Sequence, residues 1–165
     1  MARALIVACG CRGRSLGTRL AAQGLAVRGT SRDENRLGEI KAAGIEAALA
    51  DPALPGTVLD LVADVAVVYW LLGSAAGPDE EVAGMHGEQL EHLLRRLVDT
   101  PVRGFAYEAA GSASAESLRR GTEIVEAAGA TWRIPVALIT ADPGDHSTWL
   151  EDAAAAARTL IPSND

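Results

Sequence analysis

The sequence predicts one α/β domain, spanning residues 1–165, with a doubly wound parallel sheet of six strands. Apolar runs of strand length alternate with helical patterns along the whole chain, without a linker or a break in composition. The run from Val65 to Leu72 is continuously apolar and rich in β-branched and aromatic side chains, which is typical of a strand buried on both faces of a parallel sheet. A glycine-rich turn also separates the first strand from the first helix, as in a β-α-β unit.

The composition limits the function classes. Hydrophobic residues make up 48% of the chain and charged residues 22%, which fits a globular domain with one core. The net charge of −7 argues against nucleic-acid binding. No apolar run approaches the roughly 18 residues of a membrane helix. We therefore expect a cytoplasmic protein that binds neither nucleic acid nor membrane.

The first strand and helix follow from local patterns. Leu5 to Ala8 is an apolar run of strand length, and a helical pattern follows it, with Leu16 and Leu20 four residues apart. Gly24 stands where a helix C-cap is expected, because glycine adopts the left-handed conformation at little cost. A second short apolar run then completes a strand, turn, helix and strand within about 30 residues, the size of a dinucleotide-binding unit.

The turn between this first strand and helix is suited to a pyrophosphate. A phosphate can approach the N–H groups of a helix N-terminus, where the helix dipole favours negative charge, if no Cβ stands in the way. In the G-x-G-x-x-G pattern, Ala8 takes the first position, Gly10 the second and Gly13 the third. Alanine at the first position departs from the pattern. We expect Gly10, Cys11, Arg12 and Gly13 to bind a dinucleotide cofactor; a tight turn without a ligand is the alternative.

The end of the second strand indicates which dinucleotide is bound. An acidic residue there accepts a hydrogen bond from the ribose 2′-hydroxyl of NAD, whereas an arginine accommodates the 2′-phosphate of NADP. Here the position holds Thr30 or Ser31, and Arg32 follows. Hydroxyls and a planar guanidinium suit a phosphate, and Arg12 could reach the same phosphate or the pyrophosphate. We therefore predict NADP, with NAD less favoured; a solvated charge at the strand end is the alternative for Arg32.

Charge is distributed unevenly, in agreement with this prediction. The first 41 residues carry eight basic and three acidic side chains, whereas the remainder carries seven basic and 19 acidic ones. The positive part of the chain coincides with the predicted phosphate site, so it would attract a multiply charged anion locally.

The next elements follow in order. Residues 33–43 begin with acids, as a helix should, and Asp33 is expected as its N-cap or a first-turn acid. Ile45 to Leu49 predicts a short third strand. Asp51 lies in the turn after it and either touches the adenine or only forms the turn. Residues 55–62 predict a short helix before the buried fourth strand.

The second half continues the alternation. The predicted elements are a long helix at 79–98, a strand from Val102 to Tyr107, a helix at 114–128 ended by Gly129, a strand from Trp132 to Thr140 and a helix at 146–160. Pro135 inside the sixth strand indicates an edge strand or a bulge, because proline cannot donate to a neighbouring strand.

Right-handed crossovers give the expected strand order 3-2-1-4-5-6. Ligands of such sheets lie beyond the carboxyl ends of the strands, where the order reverses between strands 1 and 4. We expect this point to bring the glycine turn together with residues 108–112 and with three further cofactor-binding residues, Leu72, Gly73 and Ser74.

Other candidates for chemistry are few. Glu108, at the end of the fifth strand, could be a general acid or base with a raised pKa, or a solvated carboxylate. No disulfide is expected between Cys9 and Cys11, and small residues filling a crowded turn explain them better than a redox role. The two aspartates and the histidine within residues 142–146 are better explained by a capped helix start than by a metal site, so no metal is expected.

Together these segments resemble the short-chain dehydrogenase/reductase superfamily, and most closely its extended and atypical branch of NAD-dependent epimerase/dehydratase-like proteins. The matching pieces are residues 8–13 with Leu16 and Leu20, Val27 to Arg32, Gly44 to Asp51, and the strand–loop pairs at 65–74 and 102–112. The resemblance implies a Rossmann fold that binds NAD(P). It also implies a homodimer through helices 79–98 and 114–128, although the sequence does not show whether the apolar face of 79–98 is filled by this chain or by a second copy.

The family's catalytic pair is missing. The resemblance implies a Tyr-x-x-x-Lys pair assisted by a serine, but neither Tyr69 nor Tyr107 has a lysine four residues later, and Lys41 is the one lysine of the chain. Ser112 alone matches the family's pattern. The resemblance therefore implies an NADP(H)-binding, oxidoreductase-related protein with Ser112 and Glu108 as candidate catalytic residues. The alternative is a non-catalytic nucleotide sensor or regulatory module.

Overall fold

A six-stranded sheet lies between two layers of helices in the computed structural model, which describes residues 1–161. The strand order is β3-β2-β1-β4-β5-β6, and all neighbouring strands are parallel. The predicted α/β class and strand order are therefore confirmed.

The bounds of the elements fix the positions discussed below. The strands are β1 (Arg3–Val7), β2 (Ala26–Ser31), β3 (Glu46–Leu49), β4 (Val67–Trp70), β5 (Gly104–Glu108) and β6 (Val136–Ile139). The helices are α1 (Cys11–Ala22), α2 (Leu37–Ala42), α3 (Pro55–Leu59), α4 (Asp79–Met85), α5 (Glu88–Leu97), α6 (Ala115–Trp132) and α7 (His146–Leu160), and a short 3-10 helix (Glu34–Arg36) precedes α2.

Alternate residues of the central strands fill two separate cores. Leu5 and Val68 face a core closed by α3, α5 and α6, whereas Ile6 and Val67 face a core closed by α1, α2 and α7. All four residues of β4 are buried, as the continuous apolar run predicted. Burial on both faces of the middle strands holds the carboxyl edge of the sheet as one rigid rim.

The helix predicted at 79–98 is wrong as a single element, since the chain forms α4 and α5 with a break between them. Gly87 has φ −131° and ψ −111°, which is not helical. The His86 ring points inward, where it contacts the Leu72 carbonyl oxygen. This inward anchor and the flexible glycine beside it explain the break.

Because of the break, the apolar face of α5 packs against the core of the same chain. The leucines of this face are all buried: Leu90, Leu93, Leu94 and Leu97. The sequence left open whether this face is filled by the chain itself or by a second copy, and the structure shows that the chain itself fills it.

The prediction that Gly129 ends its helix is also wrong. Helix α6 continues to Trp132 and ends at Arg133, which has a left-handed φ of 57°. A Cβ on Gly129 would lie 3.1 Å from Val136, so the glycine allows close packing of α6 against β6. Strand β6 starts after Pro135 at the edge of the sheet, which agrees with the predicted edge strand.

Other predicted elements are correct in type but differ at their ends. The strands predicted at 65–72, 102–107 and 132–140 are β4, β5 and a shorter β6; residues 33–43 form the 3-10 helix and α2; the helix predicted at 55–62 ends at Leu59; and the helix at 146–160 coincides with α7. Apolar residues beside each strand still pack into the core, so apolar character alone does not mark a strand end. The Asp33 side chain caps the 3-10 helix by accepting from the Asn35 N–H (2.9 Å), as predicted.

Within residues 1–161, none of the helices combines the length and the apolar character needed to cross a bilayer.

Gly121 on α6 offers a test of the packing between α6 and β5. A Cβ at Gly121 would overlap the phenol of Tyr107, which is fully buried. We predict that Gly121→Ala lowers the free energy of unfolding by about 2 kcal/mol or more, despite the better helix propensity of alanine. Urea denaturation followed by circular dichroism measures this loss.

Gly38 provides the matched control, since it also lies in a helix but a Cβ there would meet no atom within 4 Å. Gly38→Ala should raise the free energy of unfolding by roughly 0.5–1 kcal/mol. Equal effects of the two substitutions would contradict the tight contact between Gly121 and Tyr107.

Candidate functional site

The predicted phosphate turn lies between β1 and α1, at the carboxyl edge of the sheet. Gly10 is the N-cap of α1, and no side chain caps this helix end. A Cβ on Gly10 would meet no atom within 4 Å, so the space beside the turn is open. The N–H groups of a first helical turn lack intrahelical partners and attract anions. The turn therefore has the form that a bound phosphate requires.

Thr30, at the end of β2, holds this turn in place. Its hydroxyl accepts from the Ala8 N–H (3.1 Å), and its carbonyl oxygen accepts from the Cys9 N–H (2.8 Å). Ala8 has a φ of 63°, a left-handed conformation that costs an alanine roughly 1–2 kcal/mol. Thr30, which is predicted to bind the cofactor, is 1% exposed. It therefore supports the turn from the protein interior.

Gly13 and Gly17 allow α1 to pack closely on the sheet. A Cβ at Gly13 would lie 3.3 Å from both Ile6 and the Cys9 sulfur, and one at Gly17 would overlap Ile45. The third glycine of the pattern thus serves close helix–strand packing, as the pattern implies.

The two cysteines lie in different environments. Both are free thiols; Cys9 is buried and Cys11 is exposed. The Cys9 sulfur would lie 2.7 Å from a Cβ on Gly29, so it fills the space that this glycine leaves. Burial raises the pKa of Cys9 to about 12. Cys9 is therefore a protonated packing residue, in agreement with the interpretation that small residues fill a crowded turn.

The first of two grooves runs from the glycine turn to the end of β2 and has a volume of about 520 Å³. It is lined by residues 8–10, 30–33 and 74–76 together with Arg14, Arg36, Ala50, Pro52, Leu72 and Met85. Its lining has three arginines and one acid, Asp33, and each arginine is paired with a carboxylate in or beside the groove. It brings together Gly10, Thr30, Ser31, Arg32, Leu72 and Ser74, six of the residues predicted to bind cofactor.

The polar groups at the far end of the first groove are already hydrogen bonded. Arg32 Nη1 lies 2.7 Å from Glu81 Oε1, and Arg32 Nη2 donates to the Ala76 carbonyl oxygen (3.2 Å). The Ser31 hydroxyl accepts from the Asp33 N–H (3.0 Å). Asp51 forms the turn after β3, where its carboxylate accepts from an N–H two residues later.

The second groove, of about 540 Å³, lies on the other side of the glycine turn. It is lined by Arg12, Ser74, residues 110–112, Thr140 and residues 142–144. The Ser112 N–H donates to the Ser74 hydroxyl oxygen (3.2 Å), which joins the loops after β4 and β5. Arg12 and Ser112 therefore face the same space, as the predicted crevice requires.

Gly73 allows these two loops to touch through their backbones. Its carbonyl oxygen accepts from the Ala113 N–H (2.9 Å), and a Cβ at Gly73 would overlap the Ala110 oxygen. Gly111 has a φ of 151°, which side chains rarely adopt. The predicted residue Gly73 thus acts through its backbone, which shapes the wall between the grooves.

Glu108 lines a small pocket of about 140 Å³, which shares Ala8 and Gly10 with the first groove and Arg12 with the second. It is 1% exposed, and its oxygens accept from the Gly73 N–H and from the Trp149 indole N–H, both at 2.8 Å. Burial raises its pKa, while these two hydrogen bonds and the nearby Arg12 charge oppose the rise. The alternative of a solvated carboxylate is wrong, because the side chain is buried.

Arg12 links the glycine turn to this buried carboxylate. Its guanidinium lies over the Trp149 ring, 5.8 Å from the ring centroid. Cation–π packing of this kind orients an arginine without neutralising its charge. The side chain lines both the small pocket and the second groove.

Both tyrosines are buried and hydrogen bonded away from the grooves. The Tyr69 hydroxyl donates to the Ala153 carbonyl oxygen (2.8 Å). The Tyr107 hydroxyl pairs with His86 Nδ1 (2.5 Å), and His86 Nε2 lies 2.8 Å from the Leu72 carbonyl oxygen. A carbonyl oxygen only accepts, so Nε2 carries the proton and Nδ1 accepts from Tyr107. Burial raises the pKa of both phenols, which keeps them protonated.

The acids near the start of α7 serve backbone structure. The Asp145 side chain accepts from the Thr148 N–H and hydroxyl, and Asp142 accepts from the Gly144 N–H. In the part of the chain that the structure describes, no group of three histidine, cysteine, aspartate or glutamate side chains is placed to hold a metal ion.

The sequence does not single out Glu81 or Trp149 as site residues. Glu81 pairs with a residue 49 positions earlier, and Trp149 with one 41 positions earlier. No local pattern marks such partners. The one sequence signal is that tryptophan usually finds a hydrogen-bond acceptor for its indole N–H when it is buried.

Comparison with known proteins shows which fold this is. No protein-family model and no curated protein matches the sequence. A short-chain dehydrogenase from Streptomyces avermitilis superposes with a TM-score of 0.68 at 16% identity, over 99% of this chain and 85% of the other. The chain has a Rossmann-like fold, which it shares with this dehydrogenase.

Two further structures with this Rossmann fold contain NAD. The UDP-glucuronic acid 4-epimerase of Bacillus cereus, in complex with NAD, has a TM-score of 0.66 at 14% identity over 82% of this chain and 54% of the epimerase. A short-chain dehydrogenase/reductase superfamily protein of Agrobacterium tumefaciens with bound NAD has a TM-score of 0.67 at 16% identity over 82% and 48%. This chain spans about half the length of either, and at such identities the likeness shows the fold alone.

The buried His86 makes stability depend on pH. Burial lowers its pKa below the usual 6.5, although the Leu72 hydrogen bond opposes this. Below pH 6.5 the unfolded chain therefore binds a proton that the folded chain does not. We predict that this contribution to the free energy of unfolding is present above pH 6.5 and lost as the pH falls through the lowered folded-state pKa.

Urea denaturation at pH 7.5, 6.5 and 5.5 measures the effect. His86→Gln should flatten the pH dependence in this range, whereas His92→Gln, at an exposed histidine of α5, should keep that of the wild type. Parallel pH profiles for the wild type and His86→Gln would rule out this role of His86.

Proposed function

We propose that this protein binds NADP(H) along the carboxyl edge of its sheet. The observation that carries the proposal is the open turn at Gly10, which lies at the N-terminus of α1 and continues into a groove lined by three arginines, one of them Arg32. Such a helix end suits a pyrophosphate, and the groove beside it has room for an adenosine. The NAD-bound structures of the same fold support a nicotinamide dinucleotide as the cofactor class.

The residues present fit this cofactor. We assign the pyrophosphate to the backbone of Gly10, Cys11, Arg12 and Gly13, with the Arg12 guanidinium beside it. Thr30 supports the turn, Ser31 and Arg32 face the ribose end, and the turn at Asp51 lies near the adenine. Leu72, Gly73 and Ser74 form the opposite wall.

The preference for NADP over NAD rests on the charges of the first groove. Arg14, Arg32 and Arg36 line it, against the single acid Asp33. No carboxylate stands at the end of β2, where an acid would accept from the ribose hydroxyl of NAD. The arginine at this position supplies donors for a 2′-phosphate instead.

Reduction or oxidation of a carbonyl or alcohol is the chemistry we propose for the second groove. A nicotinamide bound there would supply or accept the hydride. Ser112 is an exposed residue of this groove, and we propose that its hydroxyl binds a substrate oxygen. Glu108, unlike the two tyrosines, lines the small pocket beside this groove, and burial raises its pKa, which suits proton exchange nearer neutral pH. A partner would complete the substrate site.

A specific observation favours a second candidate, a nucleotide sensor without chemistry. Tyr69 and Tyr107, the two tyrosines of the chain, are both buried and hydrogen bonded, so neither phenol can exchange a proton with a groove ligand. Lys41 lies on α2. The acid–base pair that the resemblance implies therefore has no equivalent at the grooves.

Thermal-shift titration with NADPH, NADH and S-adenosylmethionine tests the cofactor class. NADPH should raise the melting temperature most, because a ligand at 100 times its Kd stabilises by about 2.7 kcal/mol. Gly10→Val should abolish this shift while keeping the melting temperature of the free protein, since a side chain there extends into open space. A shift with S-adenosylmethionine alone would overturn the proposal in favour of a methyltransferase.

Turnover then distinguishes an enzyme from a sensor. We predict NADPH oxidation, followed at 340 nm, with a panel of small carbonyl compounds, and at least a tenfold loss of rate in Ser112→Ala with an unchanged NADPH Kd. Ser147→Ala, at an exposed serine of α7 that lines neither groove, serves as the control. NADPH binding without turnover of any compound would favour the sensor.

Two further expectations remain predictions. A homodimer gains no support from α5, whose leucines are buried within the chain, and the outer face of α6 is the surface we propose for it. We also propose a cytoplasmic location, where NADPH is available.

A further inference from the structure

Arg32 bridges the two walls of the first groove. It stands just beyond β2, and its guanidinium reaches Glu81 on α4 (2.7 Å) and the Ala76 carbonyl oxygen in the loop after β4 (3.2 Å). The two partners lie 49 and 44 residues away in sequence. One side chain thus ties the loop and the helix on one wall to the strand end on the other.

The other cations of this groove are neutralised differently. Arg14 pairs with Glu39 (3.3 Å), and Arg36 pairs with Asp33 (3.7 Å). Both carboxylates come from the segment that follows β2, on the same side of the groove. Of the three arginines that line the groove, Arg32 is the one whose carboxylate partner comes from the opposite wall.

The loop backbone passes beside this ion pair. Gly77 has a φ of 143°, and a Cβ there would lie 3.7 Å from Glu81 Oε2 and 4.0 Å from Arg32 Nη2. Ala75 and Ala76, just before it, form part of the groove wall. The part of the groove wall formed by Ala75 and Ala76 therefore lies next to the Arg32–Glu81 pair.

A 2′-phosphate would compete with Glu81 for the Arg32 guanidinium. The Glu81 carboxylate on Nη1 offsets the positive charge that a phosphate needs, and it repels a phosphate bound to the other N–H groups of the same fork. The ribose hydroxyl of NAD carries no charge, so it can leave the ion pair intact. The side chains are 46% and 33% exposed, so water screens the pair and a dianion can displace it.

We propose that Glu81 determines cofactor specificity by competing with the 2′-phosphate for Arg32, which narrows the preference for NADP over NAD. This inference rests on the proposed NADP(H) binding. Glu81 does not itself line the groove. It acts on a bound cofactor through Arg32, which does.

Binding of 2′,5′-ADP, 5′-AMP, NADPH and NADH by isothermal titration calorimetry tests the proposal. Glu81→Gln should tighten NADPH and 2′,5′-ADP about fivefold, the effect of one exposed ion pair, and change NADH and 5′-AMP less than twofold. Glu80→Gln removes a neighbouring exposed charge on α4 and should change all four ligands equally and weakly.

A double-mutant cycle isolates the competition. Arg32→Ala should weaken NADPH and 2′,5′-ADP, and adding Glu81→Gln in that background should give no gain. An unchanged NADPH-to-NADH ratio in Glu81→Gln, or an equal gain in Glu80→Gln, would overturn the role of Glu81 while NADP(H) binding stands. Absence of binding by all four ligands to the wild type would overturn both.

Discussion

The geometry of the site depends on the hydrogen bonds by which Thr30 fixes the turn after β1. Its hydroxyl and its carbonyl oxygen accept from two successive N–H groups, of Ala8 and Cys9. These bonds keep Ala8 in a left-handed conformation that an alanine would otherwise leave. Because Thr30 fixes the turn from the interior, the turn keeps its shape while Gly10 remains exposed to open space. A residue that the sequence places at the ribose thus acts first as the support of the phosphate turn.

Two buried hydrogen-bond networks hold the loop after β4 against the neighbouring elements at the carboxyl edge of the sheet. Leu72, His86 and Tyr107 connect the loop after β4 to the break before α5 and to β5. Gly73, Glu108 and Trp149 connect the same loop to β5 and α7. Buried groups that are fully hydrogen bonded rigidify a structure, because each unmet bond is costly in a low-dielectric interior. The second groove is consequently walled by rigid backbone.

This rigidity bears on function. The phenols and the buried Glu108 carboxylate support the rim by hydrogen bonds. The second groove is lined by Arg12, hydroxyls, backbone and one exposed carboxylate, Asp142, which accepts from the Gly144 N–H. The proposed cofactor site is therefore more completely built than the proposed catalytic site. A binding module and an enzyme that relies on its cofactor both fit this arrangement, and Arg32 with Glu81 would regulate which dinucleotide either one takes.

The sequence by itself determined the features that depend on neighbours in the chain. The alternation of strands and helices, the open glycine turn, the buried run of β4, the Asp33 cap and the edge position after Pro135 each follow from spacing or backbone preference within a few residues. Tertiary structure alone decided what distant residues do to one another. It buried Glu108, broke the helix at Gly87, filled the α5 face from within and brought Glu81 to Arg32, because those outcomes depend on which segments the folded sheet places side by side.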